Sequence, residues 1–187
     1  NALMMISMVR TVNLETKEMC LKAMYNLINE ETIGTLLDEG IVRAVTVLSE
    51  SKSTAIRSIC SHIFCILSTY REGRSFMVNN PSNLDKLFLL SEGVDEEAKW
   101  VCLEAICNLL FSEETRIHVL TANALPVLEQ ILLNSPSSMN HESAYQCSLA
   151  LAKISCDEAS KSFLTNDSFL RLILHFLSSP SFASSPT

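Results

Sequence analysis

Seven cysteines and four histidines are the residues of this 187-residue chain best suited to holding a metal or working as nucleophile and base. Cys60 and Cys65 stand five apart, as do Cys102 and Cys107. On a helix that spacing sends the two thiols in different directions, whereas zinc needs four converging ligands at turn-like spacings. His62 and His118 fall in apolar helical stretches, His141 in a loop, and His175 near the end of the last apolar run. No Ser or Cys has a base at a motif-like spacing, and there is neither a glycine-rich phosphate loop nor a dinucleotide fingerprint. The acidic pairs sit at loop-to-helix junctions, where carboxylates favour helix N-termini without any catalytic role. The residues therefore predict no catalytic site, no metal site and no cofactor.

The same cysteines serve better as a ruler. CLKAMYNL at 20–27 and CLEAICNL at 102–109 share five of eight letters. Cys20, Cys60, Cys102 and Cys147 are 40, 42 and 45 residues apart. Three places after each stands Ala23, Ile63, Ala105 or Ala150, and seven places after each stands Leu27, Leu67, Leu109 or Ile154. Offsets of three, four and seven trace one face of an α-helix. Four in-phase copies mark an internal repeat of about 40 residues.

The remainder of the unit repeats too. NEETIGTLLDEGIVRAVTVL follows Leu27, and FSEETRIHVLTANALPVLEQIL follows Leu109. Each holds EET, a short apolar turn, then Gly40 or Asn123 before an apolar helix. Gly and Asn tolerate the left-handed backbone that ends one helix and turns sharply into another. The unit reads as a short helix, a tight corner, a second helix, a small loop and a longer third helix carrying the cysteine. Units are expected at about 13–51, 52–93, 94–137 and 138–177, with a partial unit at 1–12 and a Ser/Pro-rich tail or linker at 178–187. NALMMISMV at 1–9 matches NALPVLEQI at 123–131, so the chain is expected to begin in mid-repeat, continuous with further repeats before residue 1.

Composition agrees. Apolar residues make up 48% of the chain with only four Gly and five Pro, which favours helices over turn-rich sheets. The 14 basic residues are dispersed and the net charge is −7, which argues against a nucleic-acid partner. Acidic residues bunch at Glu30–Glu31, Asp95–Glu97 and Glu113–Glu114, so among charged partners a basic one is favoured. No stretch has transmembrane length, and cysteines in apolar runs without a disulfide pattern suggest a reducing compartment. The expected location is intracellular and cytoplasmic, with the nucleus or a large cytoskeletal assembly left open. Phe64, Phe76, Phe88 and Phe169 lie on apolar stripes and are expected in the core, while Arg57, Arg71 and Arg74 form a looser group expected on solvated surface, with a phosphate or acidic-peptide site as the alternative.

A three-helix unit of this length, with A-x-x-N-L closing its longest helix and a G-[I/A]-[V/L] corner, resembles the armadillo repeat across residues 1–177. The resemblance implies an all-α, right-handed armadillo-like superhelical solenoid of three-helix repeats. It also implies a concave groove lined by third helices, where the Asn of the N-L ending hydrogen-bonds an extended peptide. That role would fall to Asn26 and Asn108, whereas Ile66 and Lys153 stand there in the other two units. Nuclear-import receptors of the family carry Trp four residues before that Asn. Lys22, His62, Glu104 and Leu149 stand there here, which disfavours a nuclear-localisation-signal groove.

On the third helices Trp100, Glu104 and Asn108 run i, i+4, i+8 beside the core stripe of Cys102, Ala105 and Leu109. Glu18, Lys22 and Asn26 take those places in the first unit, and Tyr145, Leu149 and Lys153 in the fourth. The mixture of aromatic, charged and amide groups suits protein recognition. The expected function is a non-catalytic scaffold or adaptor that binds a protein or extended peptide through Trp100, Glu104, Asn108, Lys22, Asn26, Tyr145 and Lys153. The rival reading is a structural spacer or docking module in a larger assembly, contacting through its ends or through the helices that begin near Ile41 and Leu125.

Overall fold

The computed structural model describes residues 13–93, 95–134 and 141–178. The expected partial unit at 1–12, and the tail apart from Ser178, lie outside these residues. Within them run α1 (Leu14–Leu27), α2 (Ile33–Asp38), α3 (Ile41–Leu48), α4 (Thr54–Thr69), α5 (Arg71–Val78), α6 (Pro81–Ser91), α7 (Glu96–Phe111), α8 (Glu113–Thr121), α9 (Ala124–Asn134) and α10 (His141–Cys156). A 3₁₀ helix (Glu158–Phe163) and α11 (Asp167–Ser178) follow. His141 opens α10 instead of lying in the loop expected for it.

The long helices start where the sequence supplies a cap. Asn13 Oδ1 accepts from the Thr16 amide at 2.8 Å, Ser53 Oγ from Ile56 at 3.4 Å, and Asp95 Oδ1 from Glu97 at 3.1 Å. Each satisfies an amide that the first turn leaves without an intrahelical partner. The corners follow the expected chemistry: Gly40 has φ 91° and Asn123 φ 70°, both left-handed. In the second unit Asn80 caps α6 and Pro81 opens it, so the turn there needs no positive φ.

Three ladders result. The long helices α1, α4, α7 and α10 stack in sequence, as do α2, α5, α8 and the 3₁₀ helix, and as do α3, α6, α9 and α11. The core between them is continuous, because each helix buries one stripe. In α3 that stripe is Ile41, Val42, Ala44, Val45 and Leu48. Cys60, Cys102 and Cys147 are fully buried on successive long helices, where a small apolar side chain lets neighbours approach closely. In α1 the stripe is looser: Cys20 is buried, yet Leu27 is 44% exposed, and only α4 flanks α1 among the described long helices. Phe64, Phe88 and Phe169 are in the core, whereas Phe76 is 38% exposed, contrary to expectation. It lines a crevice with Arg43, Thr46 and Asn83 instead.

Each long helix ends at one extended residue: Ile28, Tyr70, Ser112 or Asp157. So abrupt a stop strands the last carbonyls of the helix, and side chains from the next element supply donors. Thr32 Oγ1 donates to the Leu27 carbonyl. Arg74 Nη1 donates to the carbonyls of Ser68 (3.0 Å) and Thr69 (2.9 Å). Thr115 Oγ1 donates to Leu109 at 2.6 Å, and Arg116 donates to Leu110 through Nε and to Phe111 through Nη2. Arg74, expected on solvated surface, is thus half-buried and engaged. Arg57 is as well, donating to the Ser51 carbonyl at 2.9 Å. Arg71 is exposed, as expected, and forks onto Glu114.

Gly73 occupies the place in α5 that Thr115 holds in α8, and there the backbone itself closes on the preceding helix. A β-carbon at Gly73 would lie against the Leu67 carbonyl oxygen, while one at Gly34 would meet nothing within 4 Å. Ala normally gains about 1 kcal/mol over Gly inside a helix. Gly34→Ala should therefore stabilise the fold by up to about that amount. Gly73→Ala should destabilise it by about 1–3 kcal/mol through overpacking. Denaturant midpoints at unchanged m-value check both signs.

Arg116 also links two units. Its side chain is 5% exposed and its Nη1 is 3.0 Å from Asp157 Oδ2, which in turn accepts from Ser160 Oγ at 2.5 Å. The Ser160 hydroxyl first, and Arg116 next, hold the Asp157 carboxyl below the ordinary carboxylate range. A depressed folded value means that this stabilisation is full above the unfolded value of about 3.9 and disappears as pH falls through the folded one. Asp157→Asn should lower the melting temperature at pH 7. The gap to the parent should then shrink below about pH 4, as read from thermal melts between neutral and acid pH.

Candidate interaction surface on the long helices

The four long helices turn their outer residues to one side, and contacts across adjacent helices join those residues into a strip. At its α1 end Lys22 is exposed and paired with Glu18 at 2.6 Å. Lys22, Tyr25 and Asn26 face Ser58, Ile59 and His62 of α4 across a crevice. The Tyr25 ring meets the His62 ring edge-on, with centroids 6.3 Å apart. His62 Nδ1 lies 2.8 Å from the Ser58 carbonyl, which places a proton on that nitrogen, and Nε2 faces Glu97 of α7 at 3.7 Å.

In the middle of the strip Trp100 is half-buried and packs against the core cluster. Glu104 is exposed beside Cys65 of α4. Burial first, and the adjacent carboxylate second, push that thiol up to about 12, and burial alone raises Cys60 to about 12. Neither is a thiolate at neutral pH, so neither is a ready nucleophile. Asn108 donates its amide to Ser68 Oγ of α4 at 3.0 Å. Among the described residues no group of three or more His, Cys, Asp or Glu is placed to hold a metal ion, and no helix is long and apolar enough to cross a membrane.

At the far end Lys153 of α10 reaches back to α7, its ammonium 5.2 Å from the centroid of Phe111, a ring 48% exposed. Tyr145 is 56% exposed on the same helix. Lys22 and Asn26 thus share one crevice. Asn108 lies in a second, with Ser68, Thr69, Arg74, Phe111 and Ser112. Trp100 and Glu104 stand between them on α7, and Tyr145 stands beyond.

The sequence reading missed Tyr25, Phe111 and Ser112, and it held an acidic-peptide site at Arg74 only as the alternative to solvated surface. Aligning Arg74 with Arg116 would have favoured that alternative, since each is the fourth residue of the helix that follows a long one. Tyr25 directly precedes one N-L ending and Phe111 lies two residues after the other, so both could have been found there.

No family model and no curated protein sequence matches the chain. Solved structures do. A computationally designed armadillo repeat protein for modular peptide recognition superposes with a TM-score of 0.80 at 18% identity, covering 97% of this chain and 75% of its own. A designed armadillo repeat protein in complex with the peptide (KR)4 gives 0.77 at 18%, covering 97% and 76%. An engineered protein gives 0.74 at 17%, covering 96% and 73%. The likeness is one of fold, and it agrees with the three ladders of helices and the left-handed corners. The chain is an armadillo-like, all-α superhelical solenoid.

Proposed function

We propose that this chain is a non-catalytic protein-binding scaffold or adaptor segment that takes an extended peptide along the concave side of α1, α4, α7 and α10. The observation that carries the proposal is the continuity of the strip: Tyr25 to His62, His62 to Glu97, Asn108 to Ser68 and Phe111 to Lys153 bridge every neighbouring pair of long helices. Stacked repeats bind by presenting such an extended surface, and one structural neighbour is a complex with a peptide. The contacts proposed are Trp100 as anchor, the amides of Asn26 and Asn108 as backbone partners, and Lys22, Glu104, Tyr145 and Lys153 as side-chain partners. Glu97 and Glu104 favour basic residues of the partner at the centre of the strip. The repeats at 13–51, 52–93, 94–137 and 138–177 are its units, in an intracellular protein. Five buried thiols and no disulfide among the seven cysteines favour that setting.

The test captures partners from cell extract on the immobilised chain, beside a Trp100→Ala, Asn108→Ala double variant matched to it by circular dichroism. A specific partner should be lost or weakened at least about tenfold in the variant, since a few central anchors carry most interface energy. Equal capture by both would sink the strip and favour a structural spacer that contacts through its ends.

A further inference from the structure

The junctions between successive units are built alike but filled differently. The residue that ends a long helix faces the short helix of the preceding unit. At the third junction Arg116 meets Asp157, and the arginine fork is complete: Nε and Nη2 on α7 carbonyls, Nη1 on the carboxylate. At the first junction Ile33 and Tyr70 line the same crevice, and both can stay apolar.

The second junction has the arginine without the acid. Arg74 corresponds to Arg116, but Ser112 stands where the next junction has Asp157. Ser112 forms no side-chain cap bond to α8. Arg74 spends one nitrogen, Nη1, on both α4 carbonyls, and its buried Nε has no acceptor. A buried N–H without a partner is costly. Beside it lies a cavity of about 460 Å³ lined by Ser68, Thr69, Arg74, Asn108, Phe111 and Ser112. The nearby carboxylate of Glu114 is already held by Arg71.

We infer that this cavity is a carboxylate-binding pocket, and that an Asp or Glu side chain of the bound peptide takes the place that Asp157 fills one unit later. The inference rests on the proposed peptide strip, because Asn108 and Phe111 belong to both. With a carboxylate present, the Arg74 guanidinium can turn to the arrangement of Arg116, Nε and one Nη on the α4 carbonyls and the other Nη on the ligand. The Asn108 amide and the Ser112 hydroxyl supply further donors. Basic peptide residues favoured by Glu97 and Glu104 and an acidic one at Arg74 together set the register of the peptide along the strip.

The probes are two capped tripeptides, acetyl-Gly-Asp-Gly-amide and acetyl-Gly-Asn-Gly-amide, titrated at constant ionic strength and followed by NMR at the Arg74 Nε–H and the Asn108 side-chain amide. The Asp peptide should shift both signals saturably, and the Asn peptide should bind at least about tenfold more weakly. Ser112→Asp, which supplies the acid internally, should raise the melting temperature and abolish the shift, while Ser112→Ala should keep it. Equal response to the two peptides, or undiminished binding by a folded Ser112→Asp variant, overturns the pocket. The partner capture above reports on the strip separately: a partner sensitive to the double variant but not to Ser112→Asp leaves the strip standing without the pocket.

Discussion

The structure depends on how each long helix is stopped. A helix of this length must end within one residue if a short helix is to fold back across its end. That leaves its last carbonyls without intrahelical donors in a half-buried place. Thr32, Arg74, Thr115 and Arg116 answer that need from the element that follows. Two of those donors also reach the next unit: Arg116 pairs with Asp157, and Arg74 shares a cavity with Asn108, Phe111 and Ser112. Local termination and stacking are thus one device, seen most fully where Arg116 closes α7 and reaches Asp157. Its charge is 5% exposed, so it is tolerable only because carbonyls and a carboxylate surround it.

From that device the remaining geometry follows. Fixed junctions hold the long helices side by side, and small buried thiols at Cys60, Cys102 and Cys147 let them close up. Close packing brings the outer residues of neighbouring helices within reach: Tyr25 onto His62, Asn108 onto Ser68, Lys153 onto Phe111. The strip is a consequence of the stacking. The junction that has the arginine without its acid is also the one whose cavity opens beside Asn108.

Much of this was legible in the chain. The cysteine ruler gave the repeat, the Gly40 and Asn123 corners gave the turns, and both corners take the left-handed conformation expected of them. Those signals are local, set by backbone sterics and by a 3.6-residue period. The candidate residues were nominated by outward position on one helix, which periodicity can supply. Their pairing could not be read that way. Phe76 lay on an apolar stripe yet is exposed, since a stripe tells which face is apolar but not whether a neighbour covers all of it. Arg57 and Arg74 looked like surface charge because their acceptors are backbone carbonyls, which sequence does not mark.

The sequence by itself determined the all-helical character, the period, the corners and the identity of the outward residues, because each of these is decided within a few residues of chain. The tertiary structure alone decided which of them meet. Ser112 facing Arg74, Lys153 over Phe111 and Asp157 against Arg116 join residues about 40 apart in the chain, a distance set by the stacking of one whole repeat on the next.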